Sequence, residues 1–163
     1  MENFTFDTLP ASAAEMAELK KTGADSPYRT AALALLALMN YETDPDTAFA
    51  MLDVLKGPEP VSPYQKQFIN ERLSGKSYKV ASFFDGATPE NGYVPSVPYS
   101  ITVYSNPVSF SEENWATMFV KSSGADSERQ IKLRKKPSTG EWFLNDIMCL
   151  SDIRVPAKDD PWA

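Results

Sequence analysis

The chain contains no histidine in 163 residues. Histidine is the one side chain whose unperturbed pKa lies near neutrality, and it is the usual general base and the commonest metal ligand. Its absence excludes Ser-His-Asp and Cys-His nucleophile systems, His-ligated zinc and the HExxH helix. Any chemistry has to come from carboxylates, lysine or tyrosine. Cysteine occurs once, at Cys149, so an intramolecular disulfide and a CxxC metal or redox site are both excluded. Between Met148 and Leu150 it reads as a buried, inert thiol, because a reactive thiolate needs a nearby cation or helix N-terminus. Long apolar runs are also missing. The longest covers residues 31–39, far short of a membrane span. The opening Met1-Glu2-Asn3-Phe4-Thr5-Phe6-Asp7 has neither a basic nor an apolar stretch, so a secretory signal is not expected and the expected compartment is the cytoplasm. Neither GxGxxG nor GxxxxGK[ST] occurs, and no cofactor is expected.

What is present suffices for a core. Apolar residues make up 42% of the chain and aromatics 12%, enough to offset conformational entropy in one domain spanning 1–163. The net charge of −6 favours solubility and disfavours nucleic acid as a partner. It is unevenly placed: residues 1–75 carry six basic and eleven acidic groups, residues 76–163 ten and eleven. Half of the C-terminal basic charge is bunched between Arg129 and Lys136.

The first half is written in helix starts. Ser12 with Glu15 has capping-box spacing. Ser26-Pro27, Asp44-Pro45 and Ser62-Pro63 each set an N-cap residue before a proline at the first helical position, where the missing N–H costs nothing. Stops fall at Gly23, Gly57 and Gly75. The spacing predicts helices near 13–22, 27–41, 45–56 and 63–74. The second is apolar nearly all round and should be central; the third is amphipathic through Ala48, Met51, Leu52 and Leu55.

After Gly75 the period shortens. Residues 78–84 read as a short strand, 85–98 as a turn-rich loop, and 99–104 as an alternating, half-buried strand. Residues 115–121, 129–136 and 141–145 then form an antiparallel meander with turns at 122–126 and 137–140, and the tail from 155 reads as extended. The fold class is therefore α+β, with N-terminal helices (1–75) packed on one face of a C-terminal antiparallel sheet (76–163).

Several segments carry candidate chemistry. On the strand 129–136, Ile131 and Leu133 share one face while Lys132, Arg134 and Lys136 share the other; a row of cations can hold phosphate or carboxylate, and it also serves as a plain solvated face. The stripe is short and has no interleaved aromatic, a further argument against nucleic acid. Ser122-Ser123-Gly124-Ala125-Asp126 has the small residues of an anion nest, or of an ordinary hairpin loop. Glu42-Thr43-Asp44-Pro45-Asp46 lacks the glycine and the terminal glutamate of a calcium loop, and no metal ligands are assigned. Asp85, Asp146, Asp152, Asp159 and Asp160 are the acids available for a carboxylate pair, although no spacing requires one. The loop through Tyr93 is functional or closes over the core. The ligand-binding candidates are Tyr93, Ser123, Gly124, Arg129 and Arg134.

Taken together, Gly57-Pro58-Glu59-Pro60 with Ser62, Asp85-Gly86-Ala87-Thr88-Pro89-Glu90-Asn91 through Pro98-Tyr99, Ser123-Gly124-Ala125-Asp126-Ser127 with Lys132-Leu133-Arg134-Lys135-Lys136, Asp152-Ile153-Arg154, and Asp159-Asp160-Pro161-Trp162-Ala163 resemble a family of small, uncharacterised bacterial proteins known only as a domain of unknown function. The resemblance covers roughly residues 28–163. It implies no activity, cofactor or catalytic residue, and it implies one complete domain whose tail at Trp162 belongs to the fold. The expected function is a non-catalytic cytoplasmic binding module with an anion-friendly basic sheet face, its partner an anionic small molecule or a protein, with neither nucleic acid nor membrane involved. The alternative is a small carboxylate-dependent enzyme whose pocket is enclosed by helices and a curved sheet. The tail is expected to be pinned by burial of Trp162.

Overall fold

Each cap signal in the sequence starts a helix in the computed structural model, which describes residues 1–163. Helix α1 (Ala13–Lys21) begins after Ser12, whose Oγ accepts from the Glu15 amide at 3.2 Å while the Glu15 carboxylate accepts from the Ala11 amide. Helix α2 (Pro27–Leu38) begins after Ser26 and α3 (Pro45–Lys56) after Asp44. Helix α4 (Pro63–Leu73) follows Ser62, which exchanges two 3.1 Å bonds with Gln65 in a full capping box. Each such cap satisfies backbone donors that a helix start otherwise leaves open.

The sheet is an antiparallel meander in the order β1-β2-β3-β4-β5, comprising β1 (Glu2–Phe6), β2 (Tyr99–Tyr104), β3 (Trp115–Val120), β4 (Arg129–Lys136) and β5 (Glu141–Met148). Helix α2 lies across it, touching all five strands on one side and α1 and α3 on the other. That explains its composition, since Ala31 through Leu38 are all at most 1% exposed. The sheet turns Ile101, Val103, Ala116, Met118, Ile131 and Leu133 toward the helices, every one buried. The class is α+β, with the helices on one face of the sheet.

Three expectations are corrected. The sheet does not begin after residue 76, because β1 is the N-terminal segment, paired with β2 from Glu2↔Val103 to Phe6↔Tyr99. Residues 78–84 are not a strand. They form a short helix α5 (Tyr78–Ala81) and a turn, tied by bonds such as Val80 N to Ser77 O at 3.1 Å and Phe84 N to Ala81 O at 3.0 Å. Residues 79–84 are buried without alternation, so this segment plugs the core instead of lining a sheet. Lastly, the tail is not anchored by Trp162, which is 93% exposed. The chain is held earlier, by buried Ile153, by Arg154 N donating to Gly124 O at 2.9 Å and by Tyr93 Oη donating to Arg154 O at 2.6 Å. Removing residues 161–163 is accordingly expected to leave the melting temperature within about 2 °C. A larger fall in calorimetry would mean that Trp162 is seated against the body.

Candidate functional site

Alternation along β4 sets the chemistry of the sheet's outer face. With Ile131 and Leu133 turned inward, Lys132, Arg134 and Lys136 point away from the helices. The register brings aromatics beside them, in the rows Trp115↔Arg134↔Phe143 and Thr117↔Lys132↔Asp146. Lys132 Nζ stands 5.0 Å, and Arg134 Cζ 5.1 Å, from the Trp115 ring centroid. Lys121 Nζ lies 4.4 Å over Tyr104. These contacts hold long cationic side chains without neutralising them.

The chain forms three ion pairs, Lys20–Glu141, Lys21–Glu18 and Arg154–Asp126. None involves Lys56, Lys132, Arg134, Lys135 or Lys136. Four of these five, Lys56, Arg134, Lys135 and Lys136, line one concave cleft of about 410 Å³ with Trp115 and Phe143. Glu59 and Glu113 are its acids. Phe143 is held between Lys20, whose Nζ is 4.1 Å from the ring centroid, and Gly57, where an added Cβ would fall 2.5 Å from the ring. The α3–α4 turn thus fixes the far wall of the cleft.

Lys56 enters from the end of α3. Its Nζ donates to Asn145 O at 3.0 Å, and Gln65 Nε2 donates to the same oxygen at 3.3 Å. That carbonyl belongs to a bulge: Lys132 pairs with Asp146 and Leu133 with Leu144, leaving Asn145 as the extra residue. Burial lowers the Lys56 pKa, and the charges of Asp146, Glu59 and Asp53 oppose the shift. On its other side Lys56 borders a second concavity of about 300 Å³ between α3, α4 and β5, mainly apolar.

The residues singled out in the sequence divide into two places. Tyr93, Ser123 and Gly124 do come together, Gly124 so close to Tyr93 that an added Cβ would sit 2.2 Å from Oη. Their polar groups are committed internally, however. The Ser123 amide donates to Ser82 O at 3.0 Å, that of Gly124 to Ser122 Oγ at 3.0 Å and that of Ala125 to Ser122 O at 3.3 Å. The amides of Ser123, Gly124 and Ala125 are thus taken within the protein, and this part of the turn packs as a hairpin loop. Arg129 is committed as well, donating to Ser127 O, Ser127 Oγ, Ser151 O and Asp152 O at 2.6–3.2 Å. It clamps the β3–β4 turn to the 151–152 turn. Arg134 is five residues away, which puts it on the opposite face and about 17 Å along the strand. Of the five candidates, Arg134 alone borders the basic cleft.

Other reactive groups lie elsewhere. Tyr41, Tyr78 and Tyr93 line a wide third concavity of about 670 Å³, together with Asp159. Burial raises the pKa of all three tyrosines, keeping them protonated. Tyr41 Oη donates to Asn70 Oδ1 at 2.5 Å, and Tyr93 Oη is bound as above. Asp146 lines the apolar concavity and Asp159 the third, so these two carboxylates do not share a pocket. No group of three acids or cysteines is placed to hold a metal ion. Cys149 is fully buried and its pKa is pushed up to about 12, burial outweighing the charge of Arg129; the thiol is inert, as its sequence neighbours indicate.

Sequence reasoning missed Lys56, Trp115, Phe143 and Asn145. Counting register outward from the β3–β4 and β4–β5 turns would have placed Trp115 and Phe143 beside Arg134. Lys56 and the bulge left no such signal. No helix is long and apolar enough to cross a membrane. Residues 8–157 match the model of a family described as a domain of unknown function, DUF6935. That span includes the cleft and stops short of Trp162. No curated protein and no solved structure matches the chain.

Proposed function

We propose that this chain, which belongs to the DUF6935 family, is a non-catalytic binding module of the bacterial cytoplasm that holds an anionic group of a small molecule in the cleft beside Trp115, Arg134 and Lys136. One observation carries the reading: Lys56, Arg134 and Lys136, three cations without an ion-pair partner, border one concave site together with Trp115 and Phe143, and they outnumber its two acids, Glu59 and Glu113. Bringing like charges together costs free energy unless a counter-charge is supplied, and a bound carboxylate or phosphate supplies it. Arginine adds a planar fork, already oriented over Trp115. The net charge of −6 repels polyanions at long range, which favours a small anion over nucleic acid. A single buried thiol with no disulfide partner fits a reducing compartment, and the bacterial assignment rests on the family resemblance. The enzyme reading has less support, because Asp146 and Asp159 line different pockets. The two carboxylates that do share one, Glu59 and Glu113, border it among cations, which favour a charged carboxylate over a proton donor.

The test is a titration of the full chain with inorganic phosphate and acetate, followed by backbone amide shifts. Shifts are expected to cluster at residues 115, 134–137 and 143. They should weaken at least tenfold in the double variant Arg134→Ala, Lys136→Ala, and as salt rises. Shifts confined to 122–129, or binding unaffected by the double variant, would sink the proposal.

A further inference from the structure

The basic cleft does not end at Lys56. Lys56, Leu144 and Asn145 line both it and the apolar concavity between α4 and β5, so the two meet there. The floor of the apolar side is Leu52, Val61, Ile69 and Ile147, each at most 6% exposed. Its rim is Tyr64 and Met148, which leave 77% and 41% of their surface in water. Large apolar side chains held open around a buried apolar floor describe a seat for an apolar body. At the junction stands an ammonium group with one carbonyl partner and no carboxylate within ion-pair distance. An apolar trench running into an unpaired, half-sheltered cation is complementary to one kind of molecule.

We infer that the ligand is an amphiphilic anion, its carboxylate or phosphate head against Lys56 and Arg134 and its apolar body in the trench over Leu52, Ile69 and Ile147. This rests on the binding-module reading above and names its ligand class. The trench volume of about 300 Å³ lies at the lower end of the roughly 300–1,000 Å³ usual for small-molecule sites, which fits an apolar body smaller than a drug-sized ligand. That is a medium-length acyl chain or a phenylalkyl group. An added peptide strand fits less well, because the β5 edge is already capped. Trp142 N donates to Ala24 O at 2.9 Å, Thr30 Oγ1 donates to Trp142 O at 3.3 Å, and Asn145 O is taken by Lys56 and Gln65. Burial lowers the Lys56 pKa in the free protein, and an anionic head would reverse that shift by stabilising the charged form.

The experiment is a calorimetric and NMR titration of the full chain with acetate, butanoate, hexanoate, octanoate and decanoate, each below its micelle concentration, with decanol as the uncharged control. Affinity is expected to rise about fourfold per methylene until the trench is full, with decanoate shifts at residues 52, 56, 61–69 and 144–148. Lys56→Met is expected to weaken decanoate at least tenfold while leaving decanol unchanged. A direct titration of the Lys56 ammonium should show its pKa rising when decanoate binds, which tests the contact even if the variant fails to fold. If acetate and phosphate bind the basic cleft and affinity does not grow with chain length, the binding-module reading survives and this inference fails. If no anion binds at all, both fail. Sedimentation with anionic phospholipid vesicles in the absence of binding to monomeric decanoate would also overturn it, in favour of a membrane surface.

Discussion

Leu33→Ala and Leu35→Ala are each expected to destabilise the protein by about 2–5 kcal/mol. The informative part is that the two should cost similar amounts. At 3.6 residues per turn these positions lie about 200° apart around α2, so on a surface helix one of them would face water. Here Leu33 is 1% and Leu35 0% exposed, because α2 has the sheet on one side and α1 and α3 on the other. Either loss is a large fraction of the 5–15 kcal/mol that usually separates folded from unfolded states. Urea unfolding measures both. A cost below about 1 kcal/mol for one of them, with the other near its full value, would show that α2 has an open side.

Gly57→Ala is expected to cost about 2–6 kcal/mol and to disturb the cleft as well. Gly57 has φ 71°, where a side chain brings backbone strain of about 1–3 kcal/mol. Its new Cβ would also press into the Phe143 ring at 2.5 Å, and overpacking of this kind adds about 1–3 kcal/mol. Gly75→Ala separates the two contributions. Gly75 has φ 70° and nothing within 4 Å of an added Cβ, so that variant should show the backbone part alone. If the two variants prove equally stable, the Phe143 ring yields freely and the cleft wall is soft. If Gly57→Ala is worse, anion affinity should fall with it, since Phe143 lines the cleft.

The helices were legible in residues whose effect is local. Ser26-Pro27, Asp44-Pro45 and Ser62-Pro63 fix three helix starts within a few bonds of themselves, and α2, α3 and α4 begin at those prolines. Strand β1 was harder, although Phe4 and Phe6 alternate with Asn3 and Thr5. Five residues give only two apolar positions, and the partner strand lies nearly a hundred residues away. Residues 78–84 misled because aromatic and β-branched residues favour strands, whereas here burial on all sides made a helical turn the better fit. Parity divides the site candidates between two places. Arg129 and Arg134 differ by an odd number of positions, so one strand cannot present both on one face. Arg134 belongs to the alternating stretch that borders the cleft. Its partners come from α3, from residues 113–115 and from 143–145, and a bulge at Asn145 breaks the count that would have predicted the last of these.

The position of β1 also shapes how the chain comes into being. Asn3 bonds Thr102 across a separation of 99 residues, so β1 leaves the ribosome well before the strand it pairs with. At synthesis rates of 5–20 residues per second it waits roughly 5–20 s with an open backbone edge. The same peptide that ends as a quiet sheet margin is, for that interval, an unpaired strand open to other chains. Glu2 and Asp7, which flank Phe4 and Phe6, place a negative charge at each end of it. Charges in that arrangement act as gatekeepers, making premature pairing with a neighbouring nascent chain repulsive until β2 arrives.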